Sequence, residues 1–228
     1  MAEEALVPSP PKSNAEFVCA MEAVLEVYKR PRDPQRPVVC MDEKPKQLIR
    51  DTRTPVPCAK GRPARIDYEY ERNGTASVFL FVDPLRGWRR VEATDRRTRV
   101  DWARQVRRLV DHDYPKAQRI TLVMDNLNTH SLASLYEAFE PAEAQRLAAK
   151  LEIVNTPKHG SWLNVAEVEL AALEKQAIGG RLADRAALNA RLKAWQGSRN
   201  RSRAKVDWQF TTADARVKLR RLYPQIHR

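Results

Sequence analysis

Two short apolar runs in this chain end on a carboxylate. Val38-Val39-Cys40-Met41-Asp42 is followed by Glu43, and Ile120-Thr121-Leu122-Val123-Met124-Asp125 is followed by Asn126-Leu127-Asn128-Thr129-His130. A run of β-formers that stops on an acid reads as a buried strand delivering a charge to the edge of a sheet. Two such strands can set two carboxylates side by side, the minimum for a hard-cation site. Glu167, in Ser161-Trp162-Leu163-Asn164-Val165-Ala166-Glu167, is a third acid for it, and Glu169 and Glu174 compete for the same role. Crowded carboxylates repel one another and persist at neutral pH when divalent cations neutralise them. Oxygen-only ligation favours Mg²⁺ or Mn²⁺ over zinc. Two such ions roughly 3.5–4 Å apart can activate an attacking oxygen and stabilise the leaving oxygen at phosphorus. The chemistry would then be phosphodiester hydrolysis or strand transfer. Plainer readings stand beside it: Asp42 as a strand terminator, Asp125 in a capping turn, and Glu167 as an exposed helix glutamate.

The elements that must position these acids follow from periodicity and breakers. Asn14 caps a helix to Tyr28, with Phe17, Met21, Val24, Leu25 and Tyr28 on one face. Val38 to Asp42 is the first strand. Residues 43–65 read as an exposed basic loop with a short strand at Gln47 to Arg50, and Arg65 to Glu71 as an edge strand. Asn73-Gly74 is a turn signal, and Ala76 to Val82 is a strong strand whose hairpin partner is Trp88 to Thr94. Helices are expected over 98–111, 131–139, 141–150, 162–178, 184–199 and 211–222, with strands at 119–125 and 151–154. A meander joined to β-α-β units implies an α/β fold with a mixed sheet and helices on its faces.

Composition narrows the partners. The chain has 228 residues, 43% hydrophobic and 31% charged. Its 41 Lys and Arg against 29 Asp and Glu give a net charge of +12, which makes a polyanion the first partner to consider. No apolar run approaches the ~20 residues needed to cross a bilayer. Cys19, Cys40 and Cys58 form no Cys-x-x-Cys pair, which argues against a disulfide framework or zinc ribbon and for a reducing cytoplasm. His159-Gly160-Ser161 lacks the strand-turn-helix elbow of a serine nucleophile. Two arginine-rich stretches suit a phosphate track: Arg86, Arg89, Arg90, Arg96 and Arg97, and then Arg199, Arg201, Arg203 and Lys205. Their ordinary reading is as solvated helix faces.

Several stretches together resemble a known family. VVCMDE (38–43), DYEYERNGTASVFLFVDPLRGW (67–88), LVMDNLNTH (122–130), TPKHGSWLNVAEVEL (156–170) and DWQFTTADARVKLRRLYP (207–224) resemble the catalytic part of bacterial DDE transposases. More narrowly, they resemble the insertion sequence 630 family, bacterial relatives of mariner-type transposases. The resemblance implies an RNase H-like mixed five-stranded sheet flanked by helices, with extra C-terminal helices. It implies that Asp42 and Asp125 bind metal and that Glu167 completes the triad, because Leu163-Asn164-Val165-Ala166-Glu167 resembles a Leu-Asn-Pro-x-Glu stretch, with Val165 in place of the proline. Asn126, Asn128, His130, His159, Trp162 and Asn164 would orient the ligands or touch DNA, against the alternative of capping and packing.

The same resemblance implies two Mg²⁺ or Mn²⁺ ions, cutting of element ends, and attack of the freed 3′-hydroxyl on target DNA. It divides the chain into a disordered segment (1–13), a linker helix (14–35), the catalytic core (36–180) and a basic helical extension (181–228). Relatives carry N-terminal helix-turn-helix domains. Their absence here leads to the expectation of a second reading frame, a truncated copy or a decayed element, with a homodimer and an upstream DNA-binding module as partners. The setting expected is the bacterial cytoplasm, at the nucleoid. The alternatives carried are a stand-alone RNase H-like nuclease and a catalytically idle DNA-binding remnant.

Overall fold

A computed structural model of the chain describes residues 14–53, 58–63, 68–127 and 129–225. The first helix, α1 (Ala15–Tyr28), begins where expected: the Asn14 side chain accepts from the backbone N–H groups of Glu16 and Phe17 at 2.9 and 3.1 Å. Five strands follow: β1 (Val38–Asp51), β2 (Tyr70–Asp83), β3 (Trp88–Thr94), β4 (Ile120–Met124) and β5 (Leu151–Asn155). They form one sheet in the order β3-β2-β1-β4-β5. β2 runs antiparallel to both of its neighbours, β1 and β3, and β1, β4 and β5 run parallel.

Strand alternation sorts the core into two layers. Cys40, Val78, Leu80, Val82 and Val123 point to one face. There they meet α1, α5 (Val165–Leu173), α6 (Arg185–Arg201) and α7 (Thr212–Lys218). Val39, Met41, Phe79, Phe81, Leu122 and Met124 point to the other. That face is covered by α2 (Arg99–Arg108), α3 (Ala133–Ala138) and α4 (Pro141–Ala149). Two helices end in π-helical turns, Leu109–Asp113 after α2 and Glu174–Ile178 after α5. The helix expected as a linker tail is part of this core: Phe17, Met21, Val24, Leu25 and Val27 are all buried. No helix among the described residues is long and apolar enough to cross a membrane.

The hairpin arm departs from expectation. β1 does not stop at Asp42 but runs unbroken to Asp51, so much of the expected basic loop is strand. Asn73-Gly74 is no hairpin turn; it lies inside β2, opposite a register shift between Gln47 and Ile49, with Gly74 at φ 83°. A bulge and a turn demand the same left-handed residue, so the local signal does not separate them. Pro45 is tolerated mid-strand because β4 pairs only with Val38 to Cys40, which leaves that stretch of β1 a free edge. Of the expected edge strand, residues 65–67 lie outside the described residues and 70–71 belong to β2.

Candidate active site

Register brings the two aspartates level. Cys40 pairs with Val123 at the end of the parallel ladder between β1 and β4, and Asp42 and Asp125 each lie two positions further on. Two positions preserve the side of the sheet within β1, so Asp42 belongs to the face covered by α5, whereas Asp125 lies one residue past the end of β4, where its charge still acts on Asp42. Glu167 sits in the first turn of that helix. Burial raises the Asp42 pKa to about 7, assisted by the negative charges of Asp125, Glu43 and Glu167 and opposed by the Glu43 N–H that donates to its Oδ1. Glu167 Oε2 is buried without a partner among the described residues. A hard divalent cation fits this donor set: it would satisfy the orphaned oxygen and relieve the repulsion at Asp42.

Strand alternation turns Glu43 to the opposite face, where it meets His130. His130 Nδ1 lies 2.7 Å from Asp125 Oδ1, and Nε2 lies 3.0 Å from Glu43 Oε2. The second approach is an ion-pair contact rather than a well-aligned hydrogen bond. Trp102 stacks on the imidazole at a centroid distance of 6.0 Å. Burial disfavours the charged ring, but hydrogen bonds and negative charge from Asp125 and Glu43 outweigh it and carry the His130 pKa up to about 9. Glu43, Asp125 and His130 also place one ligand atom each within 4.8 Å of one another. Glu43 is not among the site residues singled out from sequence. Its signal is the Asp-Glu pair itself, since neighbouring acids on a strand serve both faces.

The start of α5 is tied directly to the strand carrying Asp42. Asn164 caps the helix by accepting from the Ala166 N–H at 3.1 Å, and its amide donates to the Met41 carbonyl at 3.0 Å. Tyr28 on α1 donates its hydroxyl to the Leu163 carbonyl at 2.7 Å. Glu169 enters no acid cluster. It is 2% exposed and accepts from Arg89 through Nε and Nη2 at 2.9 and 2.8 Å, and from Arg199 Nη2 at 2.7 Å. Burial alone would raise its pKa, but the two guanidinium groups outweigh this and lower it.

The remaining expected residues separate. Asn126 is exposed, and Asn128 lies outside the described residues. His159 is exposed at φ 64°, while Trp162 is half-buried edge-on against Phe210 at 5.9 Å. Arg89 and Arg90 are corrections to the phosphate track. Arg89 is fully buried on Glu169; Arg90 is buried against Asp113 at 2.6 Å and Gln105, over the Phe81 ring. Neither guanidinium reaches the surface, because each neutralises a carboxylate inside the fold. Arg199 is held on Glu169, and Arg97 lies 3.5 Å from Glu43. Arg86, Arg96, Arg201 and Arg203 are exposed.

A family model described as DDE superfamily endonuclease matches residues 37–189. No curated protein matches the chain. Among solved structures, the Mos1 mariner paired end complex with Mn is 16% identical at TM-score 0.58, over 89% of this chain and 62% of that one. The Mos1 strand transfer complex is 15% identical at TM-score 0.57, over 96% and 63%. The isolated catalytic domain of Mos1 mariner transposase is 15% identical at TM-score 0.54, over 87% and 98%. The chain thus spans less than two thirds of the longer Mos1 chains and nearly all of the isolated domain. At such identity the likeness establishes the fold alone, the RNase H-like fold of the Mos1 catalytic domain. The family match runs without a break through both strand-ending aspartates and Glu167 and covers well over half of the sequence, so the chain belongs to the DDE superfamily of endonucleases.

Proposed function

We propose that the chain is the catalytic part of a metal-dependent DNA transposase, narrowly one of the insertion sequence 630 type. The observation that supports this reading is the buried Asp42 carboxyl, which feels the negative charges of Asp125, Glu43 and Glu167 within the family-matched residues. These three residues would hold two Mg²⁺ or Mn²⁺ ions. When bound, such ions activate the attacking oxygen and stabilise the leaving oxygen of a phosphodiester. The protein's own part is placement. β1 and β4 fix two carboxylates level with each other. His130 occupies one oxygen of Asp125 and orients the other. Asn164 holds the first turn of α5, which carries Glu167, against the Met41 carbonyl next to Asp42.

DNA is the substrate: water would cut at an element end, and the freed 3′-hydroxyl would attack target DNA, in the bacterial cytoplasm at the nucleoid. A second copy of the chain and a helix-turn-helix module, sought first in an upstream reading frame, complete the proposed assembly. A plasmid-nicking assay with Mg²⁺ or Mn²⁺ tests the reading. Nicking should require the metal and disappear in Asp125→Asn. Equal cleavage by both proteins, or cleavage without metal, would overturn the assignment.

A further inference from the structure

With Arg89, Arg90, Arg97 and Arg199 on carboxylates, the positive charge left for a partner is concentrated elsewhere. A cavity of about 430 Å³ opens at the turn between β2 and β3, lined by Arg32, Arg86, Arg203 and Lys205 around Gly87 and Asn200. All four cations are exposed, and none has an ion pair among the described residues. The nearby Asp83 feels Arg86 and Arg32, but its oxygens already accept from the Tyr114 hydroxyl and the Arg86 N–H at 3.0 and 2.8 Å.

The pocket is built rather than incidental. Arg86 lies over the rings of Tyr114 and Trp88, 5.3 and 5.7 Å from their centroids, which fixes its guanidinium in place. Asn200 makes two hydrogen bonds with the Arg89 backbone, at 2.7 and 2.8 Å, and Val206 N–H donates to the Pro84 carbonyl at 3.0 Å. These bonds clamp residues 200–206 onto the hairpin turn. Arg203 is held at φ 46°, an uncommon conformation for a residue with a side chain, and its backbone passes so close to Gly87 that a Cβ there would meet it at 2.6 Å.

The geometry points to a binding site for the phosphodiester backbone of DNA in this pocket, remote from the reacting phosphate. The pocket lies at the end of the sheet where β1 and β4 begin. Asp42 is four residues further along β1 than Val38, about 13 Å at ~3.3 Å per residue. Guanidinium and ammonium groups without carboxylates suit phosphate oxygens. Arg86 lies over the neighbouring Trp88 ring and Tyr114 packs against it at 81°, so what the pocket presents is chiefly positive charge. The site reads no sequence; it would hold a stretch of DNA so that another stretch reaches the acids.

This inference rests on the DNA reading above, and the test separates the two. Binding of a labelled duplex to the full chain is measured by anisotropy across a salt series. Arg86→Gln with Arg203→Gln is compared with Arg191→Gln and Lys193→Gln, an exposed pair of equal charge on α6. The pocket pair should weaken binding equally for unrelated sequences and flatten the slope of log K against log salt by about 1–2, with the control pair close to the unaltered chain. Melting temperatures should not move. If the unaltered chain binds DNA and both pairs match each other, the pocket assignment falls while the DNA reading stands. If the unaltered chain binds no DNA, both fall. Displacement of DNA by inorganic phosphate, at an ionic strength where chloride has no effect, would mark a free-anion site and overturn the backbone assignment.

Discussion

Glu167 and Glu169 stand two residues apart on one helix and live in opposite electrostatic worlds. Two residues of α-helix turn through about 200°, so the side chains leave α5 in nearly opposite directions. Glu167 faces other acids with an oxygen unpartnered, whereas Glu169 is enclosed by two arginines and satisfied on both oxygens. A carboxylate kept among like charges costs stability unless a cation joins it. One buried with guanidinium partners is structural, and its loss leaves a charge stranded. The same residue type, two positions apart, is therefore left open to a cation in one case and locked into the architecture in the other.

The largest test of that contrast is Glu167→Gln, which should cut metal-dependent nicking at least ~1,000-fold, or about 4 kcal/mol, while the chemical-denaturation midpoint stays in place. Glu169→Gln should do the reverse. Stranding Arg89 should cost about 3–5 kcal/mol in unfolding free energy, with nicking per folded molecule retained. An exchange of these two phenotypes would sink the assignment of roles. Next comes pH in the presence of a chelator. The folded pKa of Asp42, about 7, lies above its ordinary 3.8, so its contribution is fully present below pH 3.8 and is lost as pH rises through 7. For His130 the contribution is full below about 6.5 and is lost as pH rises through 9, a step of ~3 kcal/mol. Melting curves from pH 4 to 10 should show stability falling over both windows. His130→Gln should remove the upper one, and added Mg²⁺ should recover most of the loss near pH 7.

Smaller effects lie in the framework. Asn164→Ala removes a helix cap and leaves the Met41 carbonyl without its donor, for ~2 kcal/mol, and should raise the metal concentration needed for half-maximal nicking. Asn164→Asp keeps the cap but not the donor, so a metal requirement unchanged in Asp yet raised in Ala would credit the cap alone. Tyr28→Phe, losing the bond to the Leu163 carbonyl and the longer contacts with the Val165 N–H and Cys40 Sγ, should cost about 1 kcal/mol and change the metal requirement least.

Part of this arrangement is legible in the sequence, because apolar runs that reach an acid and helix caps are local signals, although β1 continues past Asp42. Asp42, Asp125, Asn14 and the β2–β3 hairpin are of that kind. The placement of Glu167 came from resemblance, since a glutamate in a helix carries no signal of its own. The arginines were misread for a physical reason. Arg89 and Arg90 look like a basic surface stripe, and their carboxylates, Glu169 and Asp113, lie 80 and 23 residues further along the chain. Only the tertiary fold shows that those charges are spoken for. The long β1–β2 arm was hidden likewise, since Gly74 announces a left-handed residue without saying whether the chain turns there or bulges.

The arginine grip on Glu169 also acts as a key in a keyway. It sets the rotational phase of α5, and so the direction in which Glu167 points. One residue inserted between Glu167 and Glu169 would advance the helix by about 100° between them. The chain would then either break the arginine grip or aim the wrong side chain at the metal. The stretch between the two glutamates would therefore tolerate a change in composition better than a change in length.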